Sequence, residues 1–544
     1  MKTIYAKDFG IKPDSNITAE LIKLTNYLHS VDGEKTVVFD PGTYYIDSEK
    51  CKKYMLYITN TVGDNEFFDG ETPHLNAVGF YFENISDLTF DANGAVFVID
   101  GDATNIAMEN CRNITLKNME IRHMHPDMHE LKVISKTPVS VDFKIDSDSS
   151  YFVKNGMLCF LGKFYITLCD KNAVKAGWIG LIEKDTPDRI KRVLHPLFSS
   201  LKVKNIGFFI IRVYYLNTSR FKIGSRYYIF DVRRQFAGIF VNKCDDVTIE
   251  NIKQRFNYSL ALVCQDSGNI TVDGVEFAPE KESARKMASV ADFMQFCMCR
   301  GDIVVKNSIF DGAGDDCLNV HGIHFKITNI NKNELTVRFM HPQTHGFNPL
   351  RTGDMLAYIN PDTLLETGRA VIENSELLNE YEIKLHVSDT NGAKNGFSIE
   401  DISACPNLEF INNTLTRIIT RGLLITTRGR VNVESNRFVS TSMSGILLSD
   451  DAKSWYESGM CRDVTIRDNV FDYCGETPIL IKPENRSYAG AVHKNIKIIS
   501  NTFKNYDGCV LSAKDSDMIT IENNKFYCGD KMKLTNCNDV KLVQ

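Results

Sequence analysis

A short phrase repeats along this chain, and its spacing is the feature that most restricts the fold. Each copy has a turn residue, then alternating apolar and polar positions, then Asn-x-x-Phe or a similar ending. One apolar position moves by 23, 32 or 33 residues between successive copies, in two runs: Val247, Ile270, Ile303, and Leu408, Val431, Val464, Ile496, Ile519. A base period of 23 with occasional loop insertions is the signature of a solenoid.

The alternation within each phrase is typical of a strand with one buried face, and the Gly and Asn residues between phrases allow tight bends. A single coil has too little core to be stable, whereas stacked coils bury a continuous one. The Asn of each phrase is expected to bond to the Asn of the next coil. Leucine-rich repeats would need helical segments and a Leu-x-x-Leu-x-Leu frame, which this sequence lacks. The sequence therefore predicts an all-β chain built on a right-handed parallel β-helix.

The repeat is interrupted between about His123 and Arg234 and between about Ile323 and Ile402, where short apolar runs such as GFFIIRVYYL and NELTVRFM appear. We interpret these segments as two small inserted β-barrel-like domains. An amphipathic helix from about Ala19 is expected to cover the open end of the solenoid. The predicted organisation is 1–122 for the cap and first coils, 123–234 and 323–402 for the inserted domains, 235–322 for the central coils, and 403–544 for the C-terminal coils.

The charge and composition of the chain restrict the classes of partner that it can bind. The 63 Lys and Arg residues against 69 Asp and Glu give a net charge of −6, which argues against nucleic acid and favours a neutral polar substrate. The chain has no apolar stretch of about 18 residues and no signal-like apolar segment after Met1, so we expect a cytoplasmic protein that does not span a membrane. The 15 scattered cysteines are interpreted as reduced core thiols, and no metal site is expected.

Three carboxylates near the centre of the chain are candidate catalytic groups: Asp292 in SVADFMQFCMCRG, and Asp315 with Asp316 in FDGAGDDCLNVHG. Glycosidic cleavage needs one acid to protonate the leaving oxygen and a second carboxylate to activate water or attack carbon. Because the spacing of Asp292 and Asp315 equals the period, we expect them at one angular position on neighbouring coils. An isolated Gly-Asp-Asp is more often a hydrated turn. Here the adjacent polar Asn319 and His321 favour a site.

A second polar cluster lies downstream, in RGLLITTRGR from Arg421 and SGILLSDDAKSWYESG from Ser444. Trp455, one of two tryptophans, sits among Asp450, Asp451 and Glu457. An aromatic face beside charged side chains suits a sugar, whose apolar face stacks while its hydroxyls form hydrogen bonds. A surface loop with a packed tryptophan is the alternative. The coil spacing favours a wall of the same cleft.

These segments together resemble the α-1,3-galactosidases of glycoside hydrolase family 110. The resemblance covers nearly the whole solenoid and is strongest in AGIFVNKCDDVTIEN, ADFMQFCMCRG, GDDCLNVHG, RGLLITTRG and LLSDDAKSWYESG. It implies a β-helix with β-barrel insertions and no cofactor. It also implies that the protein removes terminal α-1,3-linked galactose with inversion, from an oligosaccharide or glycoconjugate such as the blood group B antigen.

The resemblance also assigns roles to individual residues. Asp292 would be the general acid, and Asp315 and Asp316 would hold and deprotonate the water. Gln295 stands where the family usually has a His, three residues after the proposed acid. The positions expected to contact galactose are Asn319, His321, Arg421, Arg428, Asp450, Asp451, Trp455 and Glu457.

Two other functions remain in competition. A polygalacturonase is also a β-helix with Gly-Asp-Asp and a nearby His-Gly, but it should have Asn-Thr-Asp upstream and Arg-Ile-Lys downstream. The first motif is absent here, and the one Arg-Ile-Lys, at Arg189, lies upstream in an interrupted region. A non-catalytic glycan-binding β-helix would keep the Trp455 wall, but it has no need for three acids one coil apart.

Overall fold

The backbone is a right-handed parallel β-helix, seen in a computed structural model that describes residues 2–61, 74–162, 166–169, 179–183, 189–230, 234, 236–528 and 531–543. A typical coil gives one strand to a narrow sheet and two to a wide sheet, as in Leu260–Gln265, Gly268–Asp273 and Glu276–Phe277. The apolar side chains of both sheets meet inside the coil and form one continuous core. Ten of the 14 described cysteines are buried.

The wide sheet has 22 strands and forms most of the solenoid wall. In chain order they are Lys2–Tyr5, Ser15–Asn16, Lys35–Val38, Thr43–Asp47, Ser86–Asp100, Arg112–His123, Asp245–Gln254, Gly268–Asp273, Glu276–Phe277, Arg300–Lys306, Ile309–Asp311, Asn407–Ile411, Thr414–Ile418, Arg430–Glu434, Arg437–Thr441, Asp463–Arg467, Val470–Asp472, His493–Ile499, Thr502–Lys504, Ser516–Glu522, Lys525–Phe526 and Val540–Val543.

The narrow sheet has 13 strands and carries most of the candidate site on its outer face. Its strands are Lys53–Met55, Leu75–Glu83, Thr104–Glu109, Ala237–Asn242, Leu260–Gln265, Met294–Cys297, Leu318–Ile323, Leu423–Thr426, Ile446–Leu448, Glu457–Ser458, Ile479–Ile481, Leu511–Lys514 and Met532–Thr535. The short strand Glu457–Ser458 is antiparallel to Leu318–Ile323 and brings Glu457 opposite Ile323.

The register predicted from the 23-residue period is confirmed. Residues of successive copies lie directly opposite one another in the parallel pairings, and all are buried: Val247, Ile270, Ile303, and Leu408, Val431, Val464. Because side chains alternate between the two faces of a strand, this register also fixes which residues point outward from each coil.

The predicted stacking of asparagines is also present, at a buried bend of the C-terminal coils. Each side-chain NH2 donates to a backbone carbonyl of the preceding coil. Each side-chain carbonyl accepts from the backbone N–H of the preceding asparagine, or of Ser308 for the first member. The members of this asparagine ladder are Asn413, Asn436, Asn469, Asn501 and Asn524. These bonds satisfy backbone groups that the bend would otherwise bury unpaired.

A single α-helix in the described part of the chain, Thr18–Leu28, lies over the first coils as predicted. The Asn16 side chain accepts from the Thr18 N–H, and the buried Leu21, Leu24 and Leu28 join the solenoid core. With 11 residues the helix is too short to cross a membrane. Two single 3-10 turns, Ala6–Phe9 and Ser48–Lys50, flank the N-terminal strands.

Two antiparallel β units interrupt the solenoid. The first contains an open seven-stranded sheet of Met128–Thr137, Ser140–Ile145, Ile179–Glu183, Arg189–Val193, Lys202–Gly207, Ile210–Tyr214 and Arg226–Phe230, and a small sheet of Tyr151–Lys154, Met157–Leu161 and Ile166–Cys169. The second is a closed six-stranded barrel of Phe325–Asn331, Glu334–Arg338, Met355–Asn360, Leu365–Leu377, Glu382–Val387 and Ser398–Asp401. Each has its own apolar core.

The asparagine ladder predicts a measurable contribution to stability. Asn469→Ala leaves the Asn436 N–H and a carbonyl of the preceding coil buried without partners, so the free energy of unfolding should fall by about 2–4 kcal/mol. Asn432→Ala is the matched control, because Asn432 bonds Glu409 on the outer face, and it should cost less than about 1 kcal/mol. Denaturant titration of both variants measures the difference, and equal losses would contradict a structural role of the ladder.

Candidate active site

The three candidate acids lie at one corner of the coil, where the chain enters the narrow sheet. Strand Met294–Cys297 pairs with Leu318–Ile323 so that Met294 lies opposite Leu318, 24 residues further along the chain. This local step is one residue longer than the period. Asp316, and not Asp315 as the spacing predicted, is therefore in register with Asp292, and the Asp316 N–H donates to Asp292 Oδ1 at 3.1 Å. Because of the extra residue, Asp315 lies one position before the residue that is in register with Asp292.

Asp316 is held by the next coil, whose Arg421 occupies the corresponding corner position. Arg421 Nε donates to Asp316 Oδ1 at 2.9 Å, and Nη2 lies 2.8 Å from Oδ2. The Arg421 backbone N–H and the Thr420 hydroxyl also donate to Oδ1. A bidentate pair with these further donors fixes the carboxylate in one orientation.

Asp292 is buried and has weaker partners. Asn60 Nδ2 donates to its Oδ2 at 3.2 Å, and the backbone of Asp316 donates to its other oxygen. Burial, and then the negative charges of Asp315 and Asp316, raise the pKa of Asp292 well above its ordinary value. The site therefore favours the protonated form of this carboxyl.

Asp315 has the opposite preference. Its Oδ2 accepts from Arg234 Nη2, and Arg234 Nη1 donates to Asn60 Oδ1 at 3.1 Å. Burial acts to raise the pKa of Asp315, but the positive charges of Arg234 and Arg421 outweigh it and hold the pKa below the ordinary value. Asn60 bridges the two acids, since it bonds Asp292 through its NH2 and Arg234 through its carbonyl.

Polar side chains continue from the acids along the outer face of the narrow sheet. Asn319 Nδ2 donates to Glu457 Oε1 at 2.9 Å, and His321 Nε2 lies 3.8 Å from the same oxygen. His321 Nδ1 is 2.8 Å from the Gly322 carbonyl, which assigns the proton to Nδ1, so Nε2 accepts from Gln295 at 2.9 Å. The buried Gln295 Oε1 and Asn319 Oδ1 have no partner among the described residues. Both oxygens have almost no exposed surface, so a ligand hydroxyl reaches them only after a movement of these side chains.

Trp455 forms one wall of a small cavity beside this row. Its side chain is 51% exposed and stacks on His341, with the ring centroids 4.7 Å apart. His321 and Tyr456 also line the cavity. Asp451 shapes the tryptophan loop, because its carboxylate accepts from the backbone N–H groups of residues 453, 454 and 455.

Two residues that the resemblance placed at the sugar make their described contacts with the barrel. Arg428 makes a bidentate pair with Glu400 of the barrel, at 3.0 and 2.6 Å, and Asp450 is 0% exposed and bonds His324 Nε2 at 2.7 Å. Both pairs lie where the barrel joins the solenoid, and neither has a described contact with the acids. The structure thus brings together Asp292, Asp315, Asp316, Arg421, Asn319, His321 and Glu457, with Trp455 at the side.

The sequence did not single out Arg234, Asn60, Thr420 or His341 as site residues. Arg234 and His341 follow or lie within the interrupted regions, where no period predicts a position, and Asn60 belongs to a loop between strands. Thr420 was the easiest of the four to predict, since it immediately precedes Arg421. No group of three His, Cys, Asp or Glu side chains in the described part of the chain could hold a metal ion.

Known proteins resemble this chain over most of its length. The α-1,3-galactosidase A of Bacteroides thetaiotaomicron is 33% identical over 524 residues, which cover 94% of this chain and 90% of that protein. This chain belongs to the α-1,3-galactosidase family. The α-1,3-galactosidase B of the same organism is 30% identical over 96% of this chain and 86% of its own length. Residues 334–394, within the closed barrel, match the GLAA-B beta-barrel domain II model.

Among solved structures, an exopolygalacturonase from Thermotoga maritima covers 98% of this chain and 92% of its own, with 10% identity and a TM-score of 0.41.

Removing Arg421 should reveal how much this residue contributes to the stability of the folded protein. Arg421→Met leaves the buried Asp316 carboxyl unpaired, which should cost roughly 3–5 kcal/mol of unfolding free energy at pH 7. Burial already raises the pKa of Asp316, and loss of the guanidinium raises it further. A raised folded-state pKa stabilises the protonated carboxyl, so the loss should shrink as the pH falls toward 5.

Arg430→Met is the matched control, because Arg430 is exposed on the neighbouring wide sheet and pairs with Glu409 at 3.3 Å. Its effect should stay below about 1 kcal/mol at both pH values. Denaturant titrations at pH 7 and pH 5 make the comparison. A loss for Arg421→Met that is the same at both pH values would refute the uptake of a proton by the unpaired acid.

Proposed function

We propose that this protein is an inverting exo-glycosidase that hydrolyses terminal α-1,3-linked galactose of oligosaccharides or glycoconjugates. One observation carries the mechanism: at the same corner Asp315 pairs with Arg234, whereas Asp292 has only Asn60 and a backbone N–H as partners. These surroundings raise the pKa of Asp292 and lower that of Asp315. Two carboxyls whose environments separate their pKa values are the equipment of acid–base glycoside cleavage. The named activity of the relatives supports galactose as the sugar.

In this mechanism Asp292 donates its proton to the glycosidic oxygen while the bond from that oxygen to C1 breaks. A water held by Asp315 and Asp316 attacks C1 from the opposite face and gives a proton to Asp315. Arg421 holds the neighbouring Asp316 and keeps its charge compensated. Proton exchange with solvent then restores both acids. No covalent intermediate is needed, because water is the only nucleophile.

The galactose itself would lie over the outer face of the narrow sheet. After a movement of the two side chains, Gln295 Oε1 and Asn319 Oδ1 would accept its hydroxyl protons. Glu457 would accept from a further hydroxyl, and His321 would act through Gln295, whose amide it holds. Trp455 would cover an apolar face of the ring. Arg428 and Asp450 would act by holding the barrel against this face, and Asp451 by shaping the tryptophan loop.

Replacement of the proposed acid separates an enzyme from a binding protein. Asp292→Asn removes the proton that a poor leaving group needs, so kcat/KM on a natural α-1,3-galactosyl disaccharide should fall by roughly 10²–10⁴. An aryl α-galactoside with a good leaving group should lose much less. Asp315→Asn should impair both substrates alike. Asp302→Asn, which changes an exposed carboxylate on the wide sheet, is the control and should alter neither. Equal losses on both substrates for Asp292→Asn would remove Asp292 from the acid's role.

The stereochemistry of the product tests the role of water. Attack opposite the leaving group converts an α-galactoside into β-galactose, which proton NMR detects before mutarotation. Initial release of α-galactose would indicate a double displacement and would overturn the assignment of Asp315 and Asp316 to activation of water.

Arg234 should set the acid limb of the pH profile. Arg234→Gln removes the charge that keeps the pKa of Asp315 low and leaves burial to raise it. The base must be ionised, so the acid limb of kcat/KM should move to higher pH. Arg437→Gln, an exposed change on the wide sheet, should leave the limb in place. An unshifted limb for Arg234→Gln would show that another group controls ionisation of the base.

A further inference from the structure

An irregular segment of the chain, residues 56–61, lies against the narrow sheet beside the acids. Its Leu56 and Ile58 side chains pack in one apolar cluster with Ala291. Ala291 immediately precedes Asp292, so this segment helps to keep water away from the buried Asp292 carboxyl. We call residues 56–61 the acid loop.

Asn60 is the residue through which the acid loop reaches the acids. Its Nδ2 donates to Asp292 Oδ2 at 3.2 Å, and its Oδ1 accepts from Arg234 at 3.1 Å. Both ends of the amide are bonded, so its orientation is fixed. The position of Asn60, and with it the orientation of the Asp292 carboxyl, therefore depends on where the backbone of the acid loop is held.

Gln265, the last residue of strand Leu260–Gln265, holds that backbone from the solenoid side. Its Oε1 accepts from the Thr59 N–H at 3.0 Å, and its Nε2 donates to the Tyr57 carbonyl at 3.1 Å. One buried side chain thus satisfies a donor and an acceptor of the loop backbone, as a neighbouring strand would. Gln265 Nε2 also lies 3.3 Å from Asn242 Oδ1 on the preceding coil.

The barrel holds the acid loop from the other side, through the turn 341–344. The Asn60 N–H donates to the Gln343 carbonyl at 2.8 Å, and the hydroxyls of Thr59 and Thr344 are hydrogen-bonded at 2.9 Å. The hydroxyl pair is buried. The barrel therefore fixes the loop at Asn60 itself and at the residue before it.

The same turn contacts the aromatic wall of the site. His341 stacks on Trp455, and the Thr344 N–H donates to the His341 carbonyl at 3.2 Å, which closes the turn. His341 and Thr344 both line the cavity beside Trp455. The turn thus lies between the tryptophan and the acid loop and contacts both.

We propose that Gln265 and Thr344 are positioning residues of the active site, which hold the acid loop so that Asn60 orients Asp292 and water stays away from its carboxyl. Neither side chain has a described contact with the acids, so each acts through the loop. This inference rests on the proposed function, in which Asp292 is the general acid.

The surroundings of Asp292 give the direction of the expected effect. The charged groups that act on it are Asp315, Asp316, Arg234 and Arg421, and the Cys317 thiol also lies close. Burial affects the pKa of Asp292 more than any of these charges, and it raises that pKa. A loosened acid loop admits water, which weakens the effect of burial and lowers the pKa.

Gln265→Leu tests the proposal, because it removes both bonds to the loop backbone and keeps a side chain of similar size. The kcat/KM on an α-1,3-galactosyl disaccharide should fall by roughly 10- to 100-fold, mainly through kcat, because the acid is misplaced. An aryl α-galactoside with a good leaving group needs little help from the acid and should lose much less. The acid must be protonated, so the basic limb of kcat/KM should move to lower pH.

Thr344→Val keeps the test decisive if Gln265→Leu fails to fold. It removes one hydroxyl bond and should give the same substrate-selective loss, by roughly three- to tenfold. Thr344→Ser keeps the hydroxyl and should restore the ratio of the two substrates. Thr25→Val is the matched control, since Thr25 is a buried threonine of the N-terminal helix that bonds the Leu21 carbonyl, and it should leave the ratio unchanged.

Equal losses on both substrates with an unshifted basic limb would overturn the proposal and leave the proposed function intact. If the unmodified protein cleaves neither substrate, the proposed function has failed, and infrared titration decides the positioning separately. The carbonyl band of a protonated carboxyl that is missing in Asp292→Asn reports Asp292. That band should disappear at lower pH in Gln265→Leu and in Thr344→Val than in the unmodified protein, and an unchanged titration would refute the positioning role.

Discussion

The register between neighbouring coils places those groups of the candidate site that belong to the solenoid repeat. Because strands stack in parallel with fixed partners, a residue at a coil corner lies directly against the corner residues of the coils above and below it. Asp292, Asp316 and Arg421 meet for this reason, although Arg421 follows Asp316 by 105 residues and the whole barrel lies between them. The continuous apolar core holds that register, and the site depends on it more than on any single contact within it.

The repeat predicted the solenoid, the stacking of its core residues and the asparagine ladder, because each of these depends on local alternation and on one period. It placed the acids one residue out of register. The coil from Met294 to Leu318 is a residue longer than the period, and no local signal marks the extra residue. Arg234 and Asn60 could not be predicted at all, since both reach the acids from segments outside the repeat. Arg428 and Asp450, which the resemblance placed at the sugar, make their described contacts where the barrel joins the solenoid, and a local motif does not distinguish such residues from charged residues that bind a sugar.

The net charge of the whole chain also conceals a local excess of positive residues. A net charge of −6 spread over 544 residues predicts a neutral partner, yet residues 189–230 have no acidic side chain. Several acids that balance this segment come from elsewhere in the chain: Glu130 and Asp146 contact Arg226, and Asp142 contacts Arg212. Electrostatic character therefore has to be read from the folded surface around the cleft.

Charge balance at the corner explains why one acid keeps its proton. Three neighbouring carboxyls share two guanidiniums, since Arg234 pairs with Asp315 and Arg421 with Asp316, so the cluster would carry an uncompensated negative charge if all three ionised. A buried charge without a partner is costly, so the cluster is most stable with a single proton. That proton belongs on Asp292, because Asp315 and Asp316 each have an arginine while Asp292 has only the amide groups of Asn60 and the Asp316 backbone. The same arginines that make the cluster foldable thus leave one acid protonated beside an ionised one, which is the arrangement that inverting hydrolysis requires.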